Sequence, residues 1–155
     1  VENHTKTERS VDITEFRGAY RFLSNFYPAS VRLDGVTYST VEHAFQAAKT
    51  TEPRLRRAVR DVATPGIAKK LGRSLTLRKD WESVKLGVML ELLRQKFGPS
   101  PLRDLLLETG TTRLIEGNTW NDRFWGKVDG EGENHLGRLL MQVRDELGQK
   151  PPVKT

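Results

Sequence analysis

Two short alternating runs, Val31-Arg32-Leu33 and Val36-Thr37-Tyr38, flank the pair Asp34-Gly35. An Asp-Gly pair between such runs favours a tight hairpin turn, because its central residues must tolerate positive φ. The second strand has no loop after it. It runs straight into Ser39-Thr40-Val41-Glu42-His43-Ala44-Phe45-Gln46-Ala47-Ala48-Lys49, which reads as the first two and a half turns of a helix. At about 100° per residue, Glu42, Gln46 and Lys49 share one arc, with Val41, Phe45 and Ala48 on the neighbouring apolar strip. Two readings of that arc stand. Ser39 and Glu42 have the spacing of a capping box, with Gln46 and Lys49 as solvated partners. Alternatively, a carboxylate, an amide and an amine are lined up as part of a site.

The rest of the chain predicts mostly helices. Residues 1–11 are polar and expected to fray, and Asp12 to Tyr20 is expected to hold a short strand. The run Arg21 to Pro28 is too irregular for a helix and reads as an ordered loop anchored by aromatics, in which Ser24 and Asn25 bond backbone or ligand. Pro53 opens a basic helix reaching about Val62. Thr64-Pro65 supplies the cap and first position of another, which Gly72 can close. Arg73 then either caps carbonyls or grips a phosphate through its planar fork.

Asp80 is expected to cap the longest and central helix, Trp81 to Phe97, stopped by Gly98-Pro99. Trp81, in its first turn, either covers the core or stacks on a flat ligand. Lys85 either snorkels from the apolar arc or is a partly desolvated amine near a helix N-terminus, where both effects favour the neutral form. Ser100-Pro101 opens a leucine-rich helix ending near Gly110, and Arg113 to Gly117 reads as extended. Asn118 to Gly126 is a loop dense in aromatics and acids, followed by a turn at Asp129 to Glu133. Asn134 is expected to cap a last helix, His135 to Leu147, ended by Gly148, before a mobile Pro- and Lys-rich tail at 149–155. The fold class expected is α+β, mostly helical: one domain over residues 12–148 with a small early β-hairpin. The alternation needed for a doubly wound parallel sheet is absent.

Composition narrows the function. A chain of 155 residues has room for one sizeable core. It has no Cys, which excludes disulfides, thiolate chemistry and sulfur-based zinc sites. His4, His43 and His135 have no ligand spacing, and neither a Gly-rich phosphate loop nor a G-x-S-x-G elbow occurs. No apolar run has the length of a membrane span and no signal-peptide core is seen, so a cytoplasmic location is expected. A net charge of +6 suits polyanions or phosphorylated ligands. Arg54, Arg56, Arg57 and Arg60 form the one dense basic group, without an RNA-binding, zinc-finger or basic-zipper signature.

Several motifs then coincide in order: Phe22-Leu23-Ser24-Asn25-Phe26, Glu42-His43-x-x-Gln46-Ala47-x-Lys49, Gly72-Arg73, and Arg78-Lys79-Asp80-Trp81-Glu82-Ser83-Val84-Lys85. Asn121-Asp122-x-x-Trp125-Gly126 and Asn134-His135-Leu136-Gly137 with Leu140-Met141 complete the series. Together, over roughly residues 16–147, these resemble the NADAR family, small N-glycosidases linked to NAD, ADP-ribose and riboflavin-pathway intermediates. The resemblance implies a single NADAR-like domain that cleaves the bond between a phosphoribosyl or ADP-ribosyl group and an exocyclic aromatic amine, with no metal or redox cofactor. It points to Glu42, Trp81 and Asp122 as site residues, with Lys49 and Lys85 as amines of the matching motifs. Ser24, Asn25, Phe26, Gln46, Arg73, Trp125 and Gly126 are the expected substrate contacts, and no site residue is taken from Val128 to Glu133.

The chemistry fits those residue types. An amine leaves an anomeric carbon poorly unless protonated, and a carboxylate can move that proton or stabilise charge on the sugar. A neutral lysine can instead attack C1 after ring opening and form a Schiff base. ADP-ribosylated DNA or RNA and soluble riboflavin intermediates are both candidate substrates, and no obligate protein partner is implied. A second class stays open: a non-catalytic module binding ADP-ribose or nucleic acid.

Overall fold

The computed structural model describes residues 11–149. The polar ends expected at 1–11 and 149–155, His4 included, lie outside the described residues apart from Val11 and Gln149. The fold is α+β and mostly helical. Strands β1 (Val31–Leu33) and β2 (Val36–Tyr38) pair antiparallel, with Val31 opposite Tyr38 and Leu33 opposite Val36. Asp34 and Gly35 turn the hairpin at φ 47° and 80°, the left-handed geometry that Asp-Gly tolerates. Val31 and Tyr38 point into the core.

Helix α1 (Val41–Ala47) follows after two residues, and all seven of its residues are buried. A helix buried on every face is enclosed by its neighbours. Here α2 (Pro53–Arg60), α3 (Pro65–Arg73) and α4 (Trp81–Phe97) pack around it. The expected solvated face is thus absent, and the short α1 is more enclosed than α4. Helix α4 runs on to β1 and to α6 (His135–Gln149), while α5 (Leu102–Glu108) packs on α4 and α6.

Several expectations are corrected locally. Thr40, not Ser39, caps α1: its Oγ1 accepts the His43 N–H at 3.0 Å, and the ring Nδ1 of His43 lies 2.7 Å from the same hydroxyl. No capping box forms, because the Glu42 carboxylate bonds Gln46 instead. Gly18–Leu23 is a 3-10 helix, across the end of the segment expected to hold a strand and the start of the expected loop. The strands expected near Asp12 and at Arg113 to Gly117 shrink to isolated bridges, Ile13 to Leu114 and Gly117 to Lys127. The Asp80 side chain pairs with Arg78 Nε at 2.6 Å rather than capping α4. Asn134 is not a side-chain cap either, since its amide is committed to the Leu114–Glu116 segment, and α6 continues through Gly148 to Gln149. Gly72 lies inside α3, not beyond its end. No helix among the described residues is long and apolar enough to cross a membrane.

Candidate active site

A cleft of about 800 Å³ opens beside α1, within the size range of small-molecule sites. It is walled by α1, α3, the first turns of α4, the Ser24-Asn25-Phe26 loop and the loop running from Glu116 to Trp125. On α1, Glu42 and Gln46 point into it, and Gln46 Nε2 donates to Glu42 Oε1 at 2.8 Å. Both side chains are buried. Lys49 also lines the cleft, from the turn after α1 rather than from the helix itself. It makes no ion pair among the described residues.

Burial pushes the Glu42 carboxyl above the ordinary carboxylate range, and Asp122 adds to the effect, while the Gln46 amide, Lys69 and Lys49 oppose it. Burial likewise holds the Lys49 amine below the ordinary lysine range, helped by Arg73 and Lys69 and opposed by Glu42. Each group is thereby shifted toward its neutral form.

Aromatic rings form the opposite wall. Trp81 packs on Phe45 with ring centroids 5.1 Å apart, and Trp125 meets Phe45 edge-on at 5.2 Å. Trp81 is only 5% exposed, so it is a core residue that also presents an edge to the cleft. Its place in the first turn of α4 does not leave the indole free. Lys85 lines the cleft too, but its Nζ is 2.6 Å from Glu82 Oε2 and 4.0 Å from the Phe124 ring centroid. The amine is thus ion-paired, an arrangement that neither reading of Lys85 included.

The acidic loop is held by its own side chains. Asp122 Oδ1 accepts the N–H groups of Phe124 (3.1 Å) and Trp125 (2.9 Å), a turn that aims Trp125 at Phe45. Asn118 clasps the same turn, donating to Asp122 O at 2.8 Å and accepting from Asp122 N at 3.0 Å. Gly126 does not line the cleft. A Cβ there would lie 1.8 Å from Glu116 Oε2, so glycine lets the loop close on Glu116. Ser24 Oγ accepts from the Phe26 N–H at 3.2 Å, and Phe26 is exposed at the mouth. Asn25 is buried; its Oδ1 has no hydrogen-bond partner among the described residues, and its backbone carbonyl accepts the Glu42 N–H at 3.1 Å. Arg73 stands exposed on the rim.

Sequence reasoning missed Glu116, Lys69 and Trp120, all of which line the cleft. Lys69 Nζ sits 4.7 Å from the Trp120 ring centroid. Glu116 carried one signal, a lone carboxylate ending the apolar Leu114-Ile115 run. Burial, reinforced by Asp122 and Glu42, raises its carboxyl to about 7 against the Asn118 hydrogen bond and Lys69. The arginine cluster is partly used internally: Arg56 bonds Thr50 O at 2.7 Å and Asp34 at 2.5 Å, and Arg60 bonds Asp61 at 2.9 Å.

This arrangement has relatives. The NADAR domain profile matches residues 13–148. The N-glycosidase YbiA of Escherichia coli (strain K12) is 40% identical over 148 residues, covering 93% of this chain and 92% of that protein. The N-glycosidase Npun_R5314 of Nostoc punctiforme is 38% identical over 135 residues, covering 83% and 86%. The riboflavin biosynthesis protein VVA0006 of Vibrio vulnificus is 40% identical over 135 residues, 84% of this chain but 36% of that longer protein. The NMR structure of E. coli YbiA superposes with a TM-score of 0.77 at 37% identity, over 97% of this chain and 96% of that one. With profile, sequence and architecture in agreement over nearly the whole length, the chain belongs to the NADAR family and is a hydrolase of the N-glycosidase type.

Proposed function

We propose that the protein hydrolyses the C1–N bond joining a phosphoribosyl or ADP-ribosyl group to the exocyclic amine of a base. The observation that carries this reading is the Glu42 and Lys49 pair, both shifted toward their neutral forms in one aromatic-walled cleft. A neutral lysine is the nucleophile that an open-chain sugar imine needs. Lys49 Nζ attacks C1 of the opened sugar, the C1–N bond to the base breaks, and the base leaves as a free amine. The Schiff base left on Lys49 is then hydrolysed by water to return the amine and the sugar aldehyde. Glu42 shuttles the proton lost by Lys49. Trp125 and the edge of Trp81 flank the base or sugar, Asn25 Oδ1 accepts from a sugar hydroxyl, and Arg73 with Lys69 receives phosphate at the rim.

Simple retention of a ribosyl phosphate requires cations and a stacking surface, not a buried acid beside an amine shifted toward its neutral form. That is why hydrolysis is favoured over passive binding. The test is incubation with ADP-ribosylated guanosine and with the phosphoribosylated amino-pyrimidine intermediates of riboflavin synthesis, following released ribosyl product. Turnover on either supports the reading and names the substrate branch. Tight binding to both without product would make the protein a binding module.

A further inference from the structure

Departure of the base needs a proton at its exocyclic nitrogen, and the Glu42 and Lys49 pair is occupied at C1. We propose that Glu116 is the proton donor to the leaving amine, a role that rests on the reading above. Its geometry leaves one oxygen uncommitted. Oε2 accepts the Asn118 Nδ2–H at 3.0 Å, a bond that by itself favours the charged form, while Oε1 has no hydrogen-bond partner among the described residues. The side chain is half-buried and lines the same cleft as Glu42, facing Asp122 on its own loop and Lys69 across from α3.

The mounting is rigid. The Glu116 N–H donates to Asn134 Oδ1 at 3.0 Å, and the Glu116 carbonyl accepts the Lys127 N–H at 2.9 Å. Asn134 itself adopts φ 52° at the start of α6 and donates Nδ2 to Leu114 O at 3.0 Å. Gly126 leaves room for the carboxyl, since any side chain there would collide with it. Two neighbouring carboxylates and burial favour the protonated acid near neutrality. Burial shifts Glu42 in the same direction, but there the Gln46 amide and two amines, Lys69 and Lys49, oppose the shift.

In the step, the Oε1–H proton passes to the exocyclic nitrogen as the C1–N bonding pair moves on to that nitrogen, and the base departs as a neutral amine. The Glu116 carboxylate then takes a proton from the water that hydrolyses the sugar–lysine imine, which restores the acid.

The experiment compares two leaving groups in the wild type and in Glu116→Gln. One substrate is ADP-ribosylated guanosine, whose amine needs protonation. The other is N-(4-nitrophenyl)ribosylamine 5-phosphate, which opens to the same kind of imine and whose weakly basic amine departs with less help from an acid. Wild-type kcat/KM on the first should fall above about pH 7, where Glu116 loses its proton. Glu116→Gln should lose roughly 10²–10⁴-fold on the first substrate, lack that alkaline limb, and lose at least about tenfold less on the nitroaniline substrate. Equal losses on both, or no loss on either, would overturn the assignment while leaving the hydrolase reading intact. If the wild type turns over the phosphoribosylated amino-pyrimidines instead, these replace the guanosine substrate, and inactivity on all of them would remove the reading and the assignment together. Should Glu116→Gln not fold, Glu116→Asp, with its carboxyl drawn back by one methylene, replaces it, and the same selective loss is required.

Discussion

Gly72 of α3 and Gln46 of α1 fit together so closely that a Cβ on Gly72 would lie 1.9 Å from Gln46 Oε1 and 3.0 Å from Gln46 Cβ. The same amide donates to Glu42 at 2.8 Å, so the packing of two helices fixes the orientation of the buried carboxyl. Gly72→Ala should displace the amide. Overpacking of this kind typically costs about 1–3 kcal/mol, and loss of alignment should lower kcat/KM by roughly tenfold or more. Melting curves beside steady-state kinetics check both; unchanged kinetics in a destabilised protein would confine Gly72 to packing.

Glu42→Gln should keep the fold, because amide replaces carboxyl at nearly equal volume and the buried acid no longer has to ionise. Turnover should fall on the order of 10²–10⁴-fold. Near-normal turnover with an unchanged melting temperature would remove the Glu42 proton from the chemistry.

The two candidate lysines differ in their surroundings, and that difference is measurable. Borohydride added with ADP-ribose should trap a covalent adduct at Lys49, where burial favours the free amine, and not at Lys85, which is paired with Glu82. Lys49→Arg should abolish adduct and turnover together, since a guanidinium stays protonated. Peptide mapping reads the site directly, and an adduct on Lys85 would reverse the order. Hydrolysis without any adduct would replace the Schiff base by direct attack of water.

Lys96 gives a prediction about stability. It is 1% exposed and donates to Ser24 O at 2.7 Å, with burial holding its amine down at about 7 from the ordinary 10.5. Between those values the unfolded chain carries a proton that the folded chain lacks. Stability should therefore rise with pH across that window, by at most about 1.4 kcal/mol per pH unit from this group. In Lys96→Met, urea unfolding at pH 7, 8 and 9.5 should show a flatter dependence, and KM should rise because the Ser24 loop loses its tether. An identical pH slope in the two proteins would mean that Lys96 stays charged in the fold.

The spacing of Glu42 and Gln46 was readable because helical geometry alone brings them to one side, whereas Lys49 reaches the same cleft from the turn after α1. What spacing does not encode is that three helices enclose α1 on every face, which turns an ordinary polar stripe into a buried acid. Ser39 and Thr40 are both competent caps; the Thr40 hydroxyl serves His43 as well, so the helix starts one residue later than the capping-box pattern suggests. Lys85 had the right helical position for a desolvated amine, but Glu82, one turn earlier, already compensates it. Glu116 was illegible for a different reason. Its environment is made by Asn118, Gly126 and Asn134, in segments that local periodicity does not relate. Gly126, taken as a substrate contact from its motif, stands behind the cleft wall as a spacer.

All three tryptophans of the chain, Trp81, Trp120 and Trp125, line one cleft. Intrinsic fluorescence is therefore a nearly local optical signal from the site, without a label. Trp120 is 47% exposed beside the Lys69 ammonium, and Trp81 is enclosed against Phe45, so the rim and the floor emit from environments of different polarity. Acrylamide quenching should distinguish them: a ligand that reaches only the phosphate rim shields Trp120, whereas one that seats its base also perturbs the emission of Trp81 and Trp125.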